Sequence, residues 1–152
     1  MRHNAFPDGV TRERLLEWYR ANRARTKQLF DLVKPEAYYE RPIALRNPIV
    51  FYEGHIPGFA VNTLVKLALG KPGIDPELEV LFARGIDPED EASVPQLSWP
   101  SREKVQAFAR ACDELIEETL RTAPLEDDAV PQLRGGEAVF TILEHELMHQ
   151  ET

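Results

Sequence analysis

The sequence predicts an all-α protein: a four-helix bundle with long connecting loops. Three observations lead there. Apolar residues recur at three- and four-residue spacing in four long stretches. No stretch shows the sustained apolar–polar alternation of a half-buried strand. The twelve prolines fall almost wholly between the helical stretches, where they act as stops.

The first helix is expected from Thr11, an N-cap residue behind the Pro7-Asp8-Gly9 turn, to Lys34, with Pro35 stopping it. Leu15, Trp18, Tyr19, Leu29, Phe30 and Val33 mark its apolar side. Its basic middle, Arg20 to Lys27, is expected to be a solvated face. The second helix is expected from Pro48, suited to a first turn, to about Leu69, ending at Gly70-Lys71-Pro72-Gly73. Its residues are largely apolar, so it should be buried. Gly54 permits close approach of a neighbour, and Pro57 is placed to bend the helix. Asp75-Pro76 starts a short helix through Leu78, Val80, Leu81 and Phe82. The acidic, proline-bearing stretch from Gly85 to Pro100 is an expected loop, of a length often associated with function. Ser101 caps an amphipathic helix whose apolar stripe includes Val105, Phe108, Cys112, Ile116 and Leu120. On that stripe Cys112 should be a buried, inert thiol. After a loop from Thr122 to Leu133, the last helix is expected from about Gly135-Gly136-Glu137 to the end.

Composition narrows the function. At 152 residues, 43% apolar and 29% charged, the chain can bury one core. A net charge of −8 argues against nucleic acid or an anionic membrane surface as partner. No apolar run approaches the ~18 residues of a membrane-spanning helix. The N-terminus lacks the apolar core of a signal peptide. A single cysteine, Cys112, allows no intrachain disulfide, and a cytoplasmic location is expected.

The chemistry concentrates in Glu144-His145-Glu146-Leu147-Met148-His149. Residues four apart on a helix share a face, so His145 and His149 can both reach one metal ion. The string also matches the H-E-x-x-H zinc-protease pattern, in which Glu146 would be the general base. A third ligand would have to lie upstream, and His55 on the buried second helix is the best candidate. The fourth histidine, His3, sits in the N-terminal arm. Three imidazoles leave open coordination positions for substrate and, with Fe(2+), for O2. Glu144, Glu146 and Glu151 are candidate acceptors to orient the imidazoles.

Arg41 to His55 (Arg-Pro-Ile-Ala-Leu-Arg-Asn-Pro-Ile-Val-Phe-Tyr-Glu-Gly-His), together with Glu144 to Thr152, resembles the N-terminal DinB-like domain of the ergothioneine-type non-haem iron sulfoxide synthases, including the related selenoneine synthases. The resemblance implies a DinB-like four-helix bundle over residues 1–152 with His55, His145 and His149 as metal ligands and Fe(2+) as cofactor. It implies an O2-dependent C–S or C–Se bond-forming reaction between hercynine and a thiol or selenosugar donor. It also implies a C-terminal domain of the formylglycine-generating-enzyme type. No such domain stands in this sequence, which therefore reads as a truncated, inactive piece. The chain departs from the family pattern at Met148, where many members carry a glutamine that helps to hold hercynine. It departs again around Arg84 to Pro88 and Gln96 to Pro100, where a donor-binding arginine loop has no clear counterpart. The alternative is a stand-alone DinB-like thiol-dependent transferase or an HExxH-type metal hydrolase.

Overall fold

Thr11 opens the first helix as predicted, its hydroxyl accepting from the Arg14 amide at 3.2 Å, and α1 runs over Arg12–Asp31. The structure is a computed structural model that describes residues 6–7, 9–83 and 98–152. α1 stops short of Lys34 because Arg102 caps its end. The guanidinium donates to the Phe30 and Val33 carbonyls at 2.7 and 3.0 Å, so no further turn is needed to satisfy them.

α2 (Ile49–Ala60) starts behind Pro48 and continues straight into a π-helical stretch, Val61–Ala68. There the Leu69 amide reaches back five residues to the Leu64 carbonyl at 3.1 Å. The helix carries on through Pro57, and the change of winding begins at Val61. Such local π winding is rare and often borders functional sites. α3 (Pro76–Phe82) is capped by Asp75, which accepts from the Leu78 amide at 3.0 Å. α4 (Arg102–Thr122) is capped by Ser101 as expected. A 3-10 turn over Pro131–Gly136 leads into α5 (Glu137–Glu151). Gly136 turns the corner at φ 78°, where any Cβ would also press into the Phe6 ring.

Among the described residues every regular element is helical. α4 and α5 each lie between α1 and α2, which makes a four-helix bundle, and α3 packs on α2. The core runs down the middle through Leu15 and Tyr19 of α1, Phe51 and Leu64 of the α2 rod, and Cys112 and Ile116 of α4. Burial pushes the Cys112 thiol far above its ordinary value, which keeps it inert as predicted. No described helix is long and apolar enough to cross a membrane.

One expectation for α1 fails. Arg20, Arg25 and Lys27 are exposed, but Arg23 is not part of a solvated face. Its side chain is 14% exposed and bonds Asp113 of α4 and Glu146 of α5, both at 2.8 Å. Periodicity places Arg23 on the polar side of α1. The packing of α1 between two acidic helix seams draws it inward. Val80 of the short helix α3 is 70% exposed, while Leu78 and Phe82 beside it are buried. The expected functional loop after Gly85, with His3 and the residues around Arg84, lies outside the described residues apart from Ser98–Pro100.

Candidate metal centre

His55 comes from the middle of α2, and His145 and His149 come from successive turns of α5. The two helices pack against each other, so His55 meets a pair that lies 90 and more positions along the chain. The His145 Nε2 lies 3.1 Å from the His55 Nε2 and 3.1 Å from the His149 Nε2. One ligand atom from each histidine falls within 4.8 Å of the others.

Hydrogen bonding serves this cluster poorly. His55 Nδ1 is 2.7 Å from the Phe82 carbonyl, an acceptor only, so the His55 proton sits on Nδ1 and its Nε2 presents a lone pair. The single Nε2 of His145 holds either a proton or an in-plane lone pair. At best it is an N–H shared between two lone pairs at 3.1 Å, a weak three-centre arrangement in which neither acceptor has a full partner. A cation among the three nitrogens would instead engage a lone pair from each. Two nitrogens about 2.1 Å from one ion and at right angles stand about 3 Å apart, which is the spacing found. The residues present thus fit a divalent metal.

The surroundings keep the ligands neutral. Burial, with His149 and His55 as neighbours, lowers the His145 pKa to about 3. Burial, then His55 and Arg46, lower that of His149 to about 4. Burial also lowers the His55 pKa, against the bond its Nδ1–H donates to the Phe82 carbonyl. A neutral imidazole is the form that binds metal. Aromatic rings hold the imidazoles in place. Phe59 stacks on His145 at 3.6 Å between centroids and Phe51 on His55 at 4.8 Å. α3 supplies the Phe82 carbonyl, and it can approach because Gly54 has no side chain. A Cβ on Gly54 would collide with the Phe82 ring.

Residues 19–152 match the profile of the DinB superfamily. The chain belongs to that superfamily. It is also 32% identical over 129 residues to the ergothioneine biosynthesis protein 1 of Neurospora crassa. That alignment covers 80% of this chain and 14% of the relative, so the chain spans about a seventh of the relative's length. Within this DinB bundle the HExxH reading needs correction. The Glu146 carboxylate accepts from the Thr26 hydroxyl at 2.7 Å and pairs with Arg23, both on α1, so it is not a free general base at the cluster. Glu144 and Glu151 are exposed. Among the described residues, none of the three glutamates bonds an imidazole. The Phe82 carbonyl, which does, is a backbone atom that no side-chain pattern announces. Met148, where the family pattern departs, is 43% exposed.

Beside the cluster lies a mostly apolar cavity of about 340 Å³. His149 lines it and so do Arg46, Tyr52 and Ile56, while His55 and His145 do not. Two buried polar atoms find no partner among the described residues, the Tyr52 hydroxyl and the His149 Nδ1.

Proposed function

We propose that this DinB bundle is the Fe(2+)-holding part of an O2-dependent enzyme that joins a thiol or selenol donor to hercynine, as in ergothioneine or selenoneine biosynthesis. The observation that carries the reading is the Nε2 cluster of His55, His145 and His149, whose spacing and neutral, largely buried imidazoles suit a shared cation. The similarity to an ergothioneine biosynthesis protein supports the substrate class. In this reading a domain outside residues 1–152 completes the substrate pocket, and these residues alone turn over poorly.

Bound iron would supply the redox chemistry with O2 and one point at which both substrates meet. The protein's own residues prepare that point. Three neutral imidazoles add no negative charge, so the cation keeps its pull on an incoming thiolate or selenolate. His55 is fixed in the ligating tautomer by its Nδ1–H bond to Phe82. Phe51 and Phe59 cover two imidazole faces and exclude water from them. A hydrolase of the HExxH type has less support, because Glu146 is committed to α1.

Anaerobic reconstitution followed by metal analysis tests the ligand set. The wild-type chain should take up about one Fe(2+), and His55→Ala, His145→Ala and His149→Ala should each take up far less. Unchanged iron in any of the three removes that residue from the set. Assay of the whole enzyme with hercynine, O2 and a panel of sulfur and selenium donors then tests the reaction.

A further inference from the structure

We propose that the cavity beside the metal cluster binds the carboxylate of a small apolar-bodied acid, held by Arg46, Tyr52 and the Nδ1–H of His149. The proposal rests on the metal reading in one respect. If the His149 Nε2 faces the ion, the proton of the neutral ring is on Nδ1. That N–H is buried and has no acceptor among the described residues, and the Tyr52 hydroxyl is in the same position. The two rings stand 5.6 Å apart between centroids, and both line the cavity. Buried donors without partners are costly and uncommon, and the side chains that carry these two border one cavity, so an acceptor that settles between the rings would serve both.

Charge selects that acceptor as an anion. Arg46 lines the same cavity as His149 and Tyr52. Arg46 belongs to none of the ion pairs among the described residues. A carboxylate accepts from a guanidinium and from two further donors at once. The remaining wall, with Leu29, Phe30, Pro42, Ile43, Ile49 and Ile56, suits an aliphatic or aromatic body. Of the other polar lining residues, Gln150 donates its amide to the Asn22 carbonyl and the Thr26 hydroxyl, both at 3.0 Å, and the Thr152 hydroxyl donates to the His149 carbonyl.

A carboxylate seated there would complete a carboxylate–histidine–metal arrangement from outside the chain. Metal and acid would then each strengthen the binding of the other. The probes are phenylacetate and its uncharged isostere phenylacetamide, titrated by NMR into protein with labelled histidine and tyrosine, with and without Co(II). Phenylacetate should shift Tyr52 and His149 signals saturably, and the amide should bind about tenfold more weakly or not at all. Arg46→Gln should cost about tenfold in phenylacetate affinity and erase the preference for acid over amide. Tyr52→Phe should cost several-fold. If Arg46→Gln does not fold, Arg46→Lys keeps the charge and should keep the preference. Saturating phenylacetate should raise Co(II) affinity about tenfold. Equal binding of acid and amide, or affinity indifferent to both Arg46 and Tyr52, overturns the proposal. Co(II) uptake without Arg46-dependent acid binding leaves the metal reading intact and removes the pocket. Arg46-dependent acid binding in a chain that takes up no Co(II) does the reverse.

Discussion

Glu146 and Arg23 form a buried ion pair at 2.8 Å that joins α5 to α1, one residue along from His145. Arg23 also holds Asp113 of α4, whose carboxylate accepts from the Tyr19 hydroxyl at 2.7 Å. Burial works against the Arg23 charge, but Glu146 and Asp113 outweigh it and hold the guanidinium protonated. One arginine thus links three helices and sets the face that α5 turns toward α2.

Breaking this pair from the arginine side should be costly. Arg23→Ala strands a carboxylate that is 3% exposed and should lose about 3–5 kcal/mol in urea denaturation. Glu146→Gln keeps a group that can accept from Arg23 and Thr26, and should lose less. Because Glu146 faces α1, the Gln variant should also keep its metal. Loss of metal or of all activity with an intact fold would restore Glu146 to the site.

Gly54 is the point where α3 touches α2. The added methyl of Gly54→Ala meets the Phe82 ring, so α3 must shift and draw the carbonyl that orients His55 with it. Overpacking of this kind costs about 1–3 kcal/mol. The variant should also bind Co(II) more weakly, by about tenfold, as the loss of an imidazole's hydrogen-bond partner does elsewhere. Full metal affinity in Gly54→Ala would show that the Phe82 carbonyl does not orient His55.

Glu79 ties the same α3 to the π-helical end of α2. Its buried carboxylate accepts from the Ile74 amide at 2.6 Å and from Lys66 at 3.0 Å. Burial raises its pKa, but the Ile74 amide and Lys66 outweigh that and hold it below the usual glutamate range. The unfolded chain therefore binds this proton more readily than the folded one. The stabilisation is present above pH ~4.3 and is lost as pH falls through the lower folded value. Stability of the wild type should drop more steeply below pH ~4.3 than that of Glu79→Gln. Parallel curves would remove Glu79 from acid unfolding.

The bundle was legible because its evidence is local. Thr11, Asp75 and Ser101 are caps whose partners lie three residues on, and the apolar stripe of α4 is complete within one helix. The His145–His149 pair is local in the same sense, and His55 stood out as a histidine in an apolar helix. What escaped the sequence depends on neighbours distant in the chain. Arg23 looks solvated until Asp113 and Glu146 are brought beside it. Glu146 looks like a protease base until Thr26 takes its carboxylate. The orienter of His55 is a main-chain carbonyl, which carries no residue signature at all.

Metal loading should itself be visible as stability. His55 and His145 are separated by 90 positions in sequence and meet only in the folded bundle, so a metal that needs all three nitrogens binds the folded state far better than the unfolded one. At a free-metal concentration about a hundredfold above its dissociation constant, that difference stabilises the fold by about 2.7 kcal/mol. Co(II) or anaerobic Fe(2+) should raise the urea midpoint accordingly, and EDTA should reverse it. In His149→Ala the gain should shrink to a small fraction, because the remaining pair, His55 and His145, binds too weakly. The same gain in a variant lacking all three histidines would place the metal elsewhere on the chain.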